Sequence, residues 1–105
     1  MDRSYAVVLT TVASEDQAGD LARSLVDAHL AACVQIQSIR SVYRWKGETC
    51  AEAEFLLLIK TAADKYAAIE QHIKANHPYE TPEIVQVRVT AGSAEYLRWI
   101  DDSVG

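Results

Sequence analysis

The sequence predicts an α+β fold built on a four-stranded antiparallel sheet, and three observations lead there. Strand-period and helix-period stretches alternate along 105 residues in the order strand, helix, strand, strand, helix, strand, helix. The two central strands meet at Lys46–Gly47 and form a hairpin far longer than any other element. Half of the residues are hydrophobic, against 24% charged, 4 Gly and 2 Pro, which is the composition of a folded domain rather than a disordered chain.

Each element has its own local signal. Ser4 to Val12 is apolar and β-branched and reads as a strand. Ser14 followed three residues later by Gln17 is a reciprocal helix-capping pattern. Behind it Ala18, Leu21, Ala22, Leu25 and His29 recur on one helical face. Leu30 to Trp45 reads as a second strand whose apolar parity slips. Ala32, Val34 and Ile36 share one parity; Ile39, Tyr43 and Trp45 share the other, which predicts a bulge or bend near Gln37–Ser38. Gly47 supplies the positive φ of a tight turn, and Glu48 to Thr61 returns as the third strand. A second helix opens at Thr61 or Ala62, buries Tyr66, Ile69 and Ile73, and stops near Asn76 ahead of Pro78. His77 to Pro82 is a structured loop bounded by two prolines, Glu83 to Val89 a fourth strand, and Gly92–Ser93 the cap of a helix running through Ile100. With right-handed crossovers this order closes as a ferredoxin-like βαββαβ sheet with an extra C-terminal helix, one domain over residues 1–105.

The long hairpin implies self-association. A strand from Leu30 to Trp45 spans roughly 50 Å at about 3.3 Å per residue, whereas a domain of this size has a diameter of about 33 Å. Leu56 and Leu58 lie opposite in parity to Phe55 and Leu57, so both sheet faces are apolar and helices cover only one. The alternative cover is the final helix, through Tyr96, Leu97 and Ile100.

Composition also sets aside several function classes. A net charge of −5 with scattered Arg and Lys argues against a nucleic-acid partner, and the third strand lacks the aromatic and basic pattern that stacks bases. The longest apolar run, Phe55 to Ile59, is too short for a bilayer, so no membrane partner is expected. The N-terminal stretch does not read as an export signal, which makes the cytoplasm the expected location and reduced thiols the expected state of Cys33 and Cys50. No phosphate-cradling glycine loop and no nucleophile motif is present.

Few residues stand out for chemistry. His72 and His77 are five apart and do not share a helical face; His29 and His72 read as solvent-facing helical residues. His77 sits in a proline-braced loop with Glu80 and Glu83 nearby. Cys33 reads first as a small buried hydrophobe. Glu52 and Glu54 share a strand face, where paired carboxylates are more commonly solubilising charges than an acid–base pair. Lys60 closes an apolar strand and either borders a polar pocket or extends to water.

Five stretches resemble the CutA family of divalent-cation tolerance proteins. They are Ala31-Ala32-Cys33-Val34, Tyr43-x-Trp45-x-Gly47, Ile59-Lys60-Thr61, His77-Pro78-Tyr79-Glu80-Thr81-Pro82-Glu83-Ile84 and Tyr96-Leu97-x-Trp99-Ile100, in family order from about Tyr5 to Asp101. The resemblance implies a ferredoxin-like homotrimer, similar in architecture to the nitrogen-regulatory PII proteins. It also implies tolerance of copper and other divalent cations, and no enzymatic activity. No cofactor is obligatory; copper or another divalent cation is the implied bound ion. The implied pocket lies between subunits, with Cys33 and His77 as metal ligands and Trp45, Lys60, Tyr79 and Glu80 lining it. Two rival readings stay open: a PII-like module binding a small ligand or partner, and an enzyme using Lys60, His77 and Tyr79.

Overall fold

The computed structural model describes residues 3–105. The elements are β1 (Tyr5–Val12), α1 (Glu15–Asp27), β2 (Cys33–Trp45), β3 (Glu48–Ala62), a 3-10 turn (Ala63–Lys65), α2 (Tyr66–Asn76), β4 (Val85–Val89) and α3 (Ala94–Val104). The strands form one antiparallel sheet in the order β2-β3-β1-β4, which is the ferredoxin-like arrangement.

Helix α1 starts where Ser14 Oγ accepts the Gln17 N–H at 3.1 Å. It ends in a left-handed residue, His29 at φ 59, with the Leu30 and His29 amides bonded to the Leu25 and Val26 carbonyls at 3.0 Å. Residues 30–32 therefore belong to this helix stop and the approach to β2, and the strand begins at Cys33 rather than Leu30. The second helix is preceded by the 3-10 turn and begins later than the sequence predicts, while its end at Asn76 agrees. Helix α3 is capped by Ser93 Oγ on the Tyr96 N–H and extends one turn past Ile100.

Val8, Val12, Leu21, Leu25, Leu57, Ile59, Ile69 and Ile73 form the main core between the sheet and α1 and α2. On the opposite face, Ile100 and Val104 of α3 pack on Ala62, with Tyr5, Ala32 and Leu97 around them. Helix α3 thus covers one end of that second face only. Arg3 ties this end together, bonding Asp64 at 2.9 Å and Asp101 at 3.3 Å, and Tyr5 donates to Asp101 at 2.7 Å.

Of the bulge or bend expected near Gln37–Ser38, the register excludes the bulge. Pairing of β2 with β3 is unbroken from Cys33↔Lys60 to Trp45↔Glu48. The parity slip has another cause: the face requiring apolar side chains changes along the ribbon. Val34 packs towards the helices, whereas Ile39, Tyr43 and Trp45 lie on the second face beyond the reach of α1 and α2. The ribbon draws the molecule out to 46 × 25 × 22 Å. At its tip, Lys46 (φ 50) and Gly47 (φ 82) both take positive φ, the geometry of a two-residue turn matched to strand twist.

Candidate functional site

A cleft of about 910 Å³ lies between the hairpin tip and the loop of residues 77–83. Strand alternation sets its floor. In the observed register Ile39, Tyr43 and Trp45 share the second face with Glu54, Cys50 and Glu48, and Glu52 projects there as well. The Tyr43 hydroxyl donates to Glu52.

The loop forms the other wall, and His77 holds it. His77 leaves α2 with extended backbone, as its position before Pro78 requires. Its Nδ1 accepts the Tyr79 N–H at 3.1 Å, so in this tautomer Nε2 carries the proton and donates to the Thr11 carbonyl at 2.7 Å. The two rings meet edge to face at 4.6 Å. Tyr79 is thereby aimed at the sheet, where its hydroxyl donates to Glu54 Oε2 at 2.9 Å. Burial, followed by the bond to Glu54, raises the Tyr79 phenol well above the usual tyrosine range. The bond to Glu52 pushes Tyr43 up to about 12. Both phenols therefore stay protonated and act as donors at neutral pH.

The structure gathers Trp45, Tyr79 and Glu80 around this one cleft. It places Lys60 and Cys33 elsewhere. These two are direct cross-strand partners on the second face, and Lys60 Nζ stands 5.8 Å from the centre of the Tyr96 ring on α3. Lys60 pairs with Val7, four residues before Thr11, which anchors His77. That is roughly 13 Å along the strand, with two strand spacings of about 4.8 Å added for Cys33. One chain therefore does not bring Cys33 and His77 together, and both nitrogens of His77 are already engaged. Among the described residues no group of three or more His, Cys, Asp or Glu side chains is placed to hold a metal ion.

Two sequence expectations change here. Glu54 is a buried acceptor, 8% exposed, and not a solubilising charge; its partner lies 25 residues away, beyond the reach of local pattern. His72 is half-buried rather than solvent-facing. Ser24 Oγ donates to the Leu21 carbonyl and accepts from His72 Nε2, both at 2.8 Å, which clasps α1 to α2.

Residues 6–103 match the family model described as CutA1 divalent ion tolerance protein. A divalent-cation tolerance protein CutA from Thermus thermophilus is 44% identical over 100 residues, covering 94% of this chain and 97% of that protein. The solved structure of the periplasmic divalent cation tolerance protein CutA from Archaeoglobus fulgidus superposes with a TM-score of 0.95 at 36% identity, covering 96% of this chain and 99% of that one. The Thermus thermophilus divalent cation tolerance protein structure gives a TM-score of 0.92 at 43% identity, covering 96% and 99% of the two chains.

Proposed function

Because the chain belongs to the CutA1 divalent ion tolerance family, we propose that it works as a homotrimer binding divalent cations, copper among them, weakly at clefts between subunits and without enzymatic turnover. The observation that carries this reading is the second sheet face. Val85 and Val87 of β4 are 47% and 51% exposed, and Tyr43 and Trp45 stand exposed farther along the same face. Burying a side chain of this kind is worth about 1.5–3 kcal/mol, so packing between copies stabilises what α3 leaves open. The donor arrangement supports weak rather than tight metal binding. Cys33, half-buried and reduced, is the ligand available without rearrangement, and thiolate suits copper. His77 joins only when its bonds to Thr11 and Tyr79 open. We infer a cytoplasmic location, where free thiols persist.

Light scattering coupled to gel filtration tests the assembly; a monomer mass at micromolar concentration would sink it. Copper titration by calorimetry tests the ligands: Cys33→Ser should weaken binding, and His77→Ala should change it less. Unchanged tight binding in both variants removes these residues from the site.

A second reading has its own observation, the cleft itself. A sizeable recess with three aromatic rings and oriented carboxylates is suited to a small organic ligand, as a PII-like signalling or interaction module would require.

A further inference from the structure

Two patches of opposite charge occupy opposite ends of the second sheet face. At the hairpin end Glu54 is buried, and its hydrogen-bond partner among the described residues is the neutral Tyr79 phenol. Glu52 is held by the neutral Tyr43 phenol, and the loop adds Glu80 and Glu83. A phenol fills one of about four lone-pair sites of a carboxylate and brings no positive charge. Arg40 and Arg44 border this end, but alternation aims them at the helix side, and neither forms an ion pair among the described residues. At the other end stands a cation without an anion. Arg88 also belongs to the helix side, so Lys60 is the basic residue that the strands place on the second face. Lys60 forms no ion pair among the described residues. Beside it lie the exposed rings of Tyr96, centred 5.8 Å from Nζ, and Trp99, centred 5.5 Å from that of Tyr96.

Glu54 and Lys60 lie on the same strand, β3, six positions apart. At about 3.3 Å per residue that is roughly 20 Å, so the two do not meet within one chain. We propose that they meet between copies: Lys60 of one copy enters the cleft of the next and supplies the cation that Glu54 lacks. Tyr96 and Trp99 travel with it and pack on Tyr43 and Trp45 of the receiving ribbon. Charge complementarity identifies the occupant of the cleft as a second copy of this chain. A buried carboxylate is costly until a cation joins it, so the site is complete only in the assembly. The contact joins two different patches, as a head-to-tail contact that closes a ring of three must. The inference rests on the trimer reading above and adds the pair of residues that fixes how neighbouring copies align.

A double-mutant cycle on the full chain tests it, read as the concentration at which the assembly dissociates on dilution, followed by light scattering. E54Q keeps an acceptor for Tyr79, and K60M keeps the length of the side chain. Each should raise the dissociation midpoint about tenfold or more, the value of a hydrogen bond to a charged group. The E54Q/K60M double variant should lose little beyond either single change, because each alone already removes the contact. R23Q on the outer face of α1, where Arg23 is 78% exposed, should leave the midpoint unchanged. Two residues this far apart in one chain couple only through another copy. Should E54Q not fold, zero-length carbodiimide crosslinking of the wild type carries the test: an amide between Lys60 and Glu54 in a band of twice the chain mass is expected. Additive effects in a trimeric protein, or crosslinked bands that lack this amide, overturn the contact and leave the trimer reading standing. Coupling in a particle of two copies keeps the contact and overturns the trimer; a monomeric wild type removes both.

Discussion

Thr10 places a hydroxyl in the middle of the main core. It lies on the helix-facing side of β1 between Val8 and Val12, is fully buried, and its Oγ1 has no partner among the described residues. An unmet buried hydroxyl costs about 1–3 kcal/mol, and valine keeps the shape. Thr10→Val should therefore raise stability by about 1 kcal/mol, a midpoint higher by roughly 4–8 °C in a thermal melt; a lower midpoint would mean that the hydroxyl is satisfied after all. Tyr79 is the opposite case, a hydroxyl whose acceptor is a buried carboxylate. Tyr79→Phe leaves Glu54 without its donor and should cost about 1–3 kcal/mol at neutral pH. The pH dependence follows from the direction of the shift. The folded state raises the phenol above its ordinary 10.0, so this stabilisation is complete below pH 10.0 and is lost as pH rises towards the folded value. Urea midpoints between neutral pH and strong alkali should fall less steeply in Tyr79→Phe than in wild type. Some slope will remain, because Tyr43 and Tyr66 are raised as well, by Glu52 and Glu70.

At the scale of elements, the hairpin turn offers the clearest substitution. Lys46 sits at φ 50, a left-handed conformation that costs an ordinary side chain and suits asparagine. Lys46→Asn should raise the melting midpoint by a few degrees, corresponding to about 0.5 kcal/mol, and leave the secondary structure unchanged by circular dichroism. Turn and cap signals of this kind were legible because they are local: Gly47, Ser14 and Ser93 each act within three residues. The β2 parity slip was legible as a pattern and misleading as geometry. Period-two reasoning assumes that one face stays the inside along a whole strand. In this ribbon the inside changes face where the helices end, so a continuous register produces the signature expected of a bulge. The end of α1 failed for a related reason. Leu30 and Ala31 are apolar because they seal a helix stop against the core, and apolar character alone does not distinguish that role from a strand start. The site was legible in part: Trp45, Tyr79 and Glu80 meet at one cleft, whereas the separation of Cys33 and Lys60 from His77 depends on sheet register, which no motif encodes.

For the whole molecule, the decisive asymmetry lies between the two sheet faces. The helix-covered face buries Val8, Val12, Leu57 and Ile59 almost completely, and the second face keeps α3 at one end and exposed valines and aromatic residues over the rest. Among the described residues both outer strands, β2 and β4, also have an unpaired edge, a feature that monomeric proteins ordinarily blunt or cover. If copies pack on the second face, a charge placed there should separate them without unfolding each chain. Val87 is the appropriate position, because it pairs with Val7 on that face, is about half exposed in the isolated chain, and takes no part in the helix-side core. Val87→Glu should shift the light-scattering mass from trimer towards monomer and lower the thermal midpoint. Wild-type stability should rise with protein concentration, as it must for a fold linked to association, and the variant should lose that dependence. Gln86 on β4 faces the helix side and is exposed, so Gln86→Glu adds the same charge one residue away and should leave the mass unchanged. An equal effect of the two substitutions would assign the loss to general charge repulsion, whereas an effect confined to Val87→Glu assigns it to the face that the single chain leaves open.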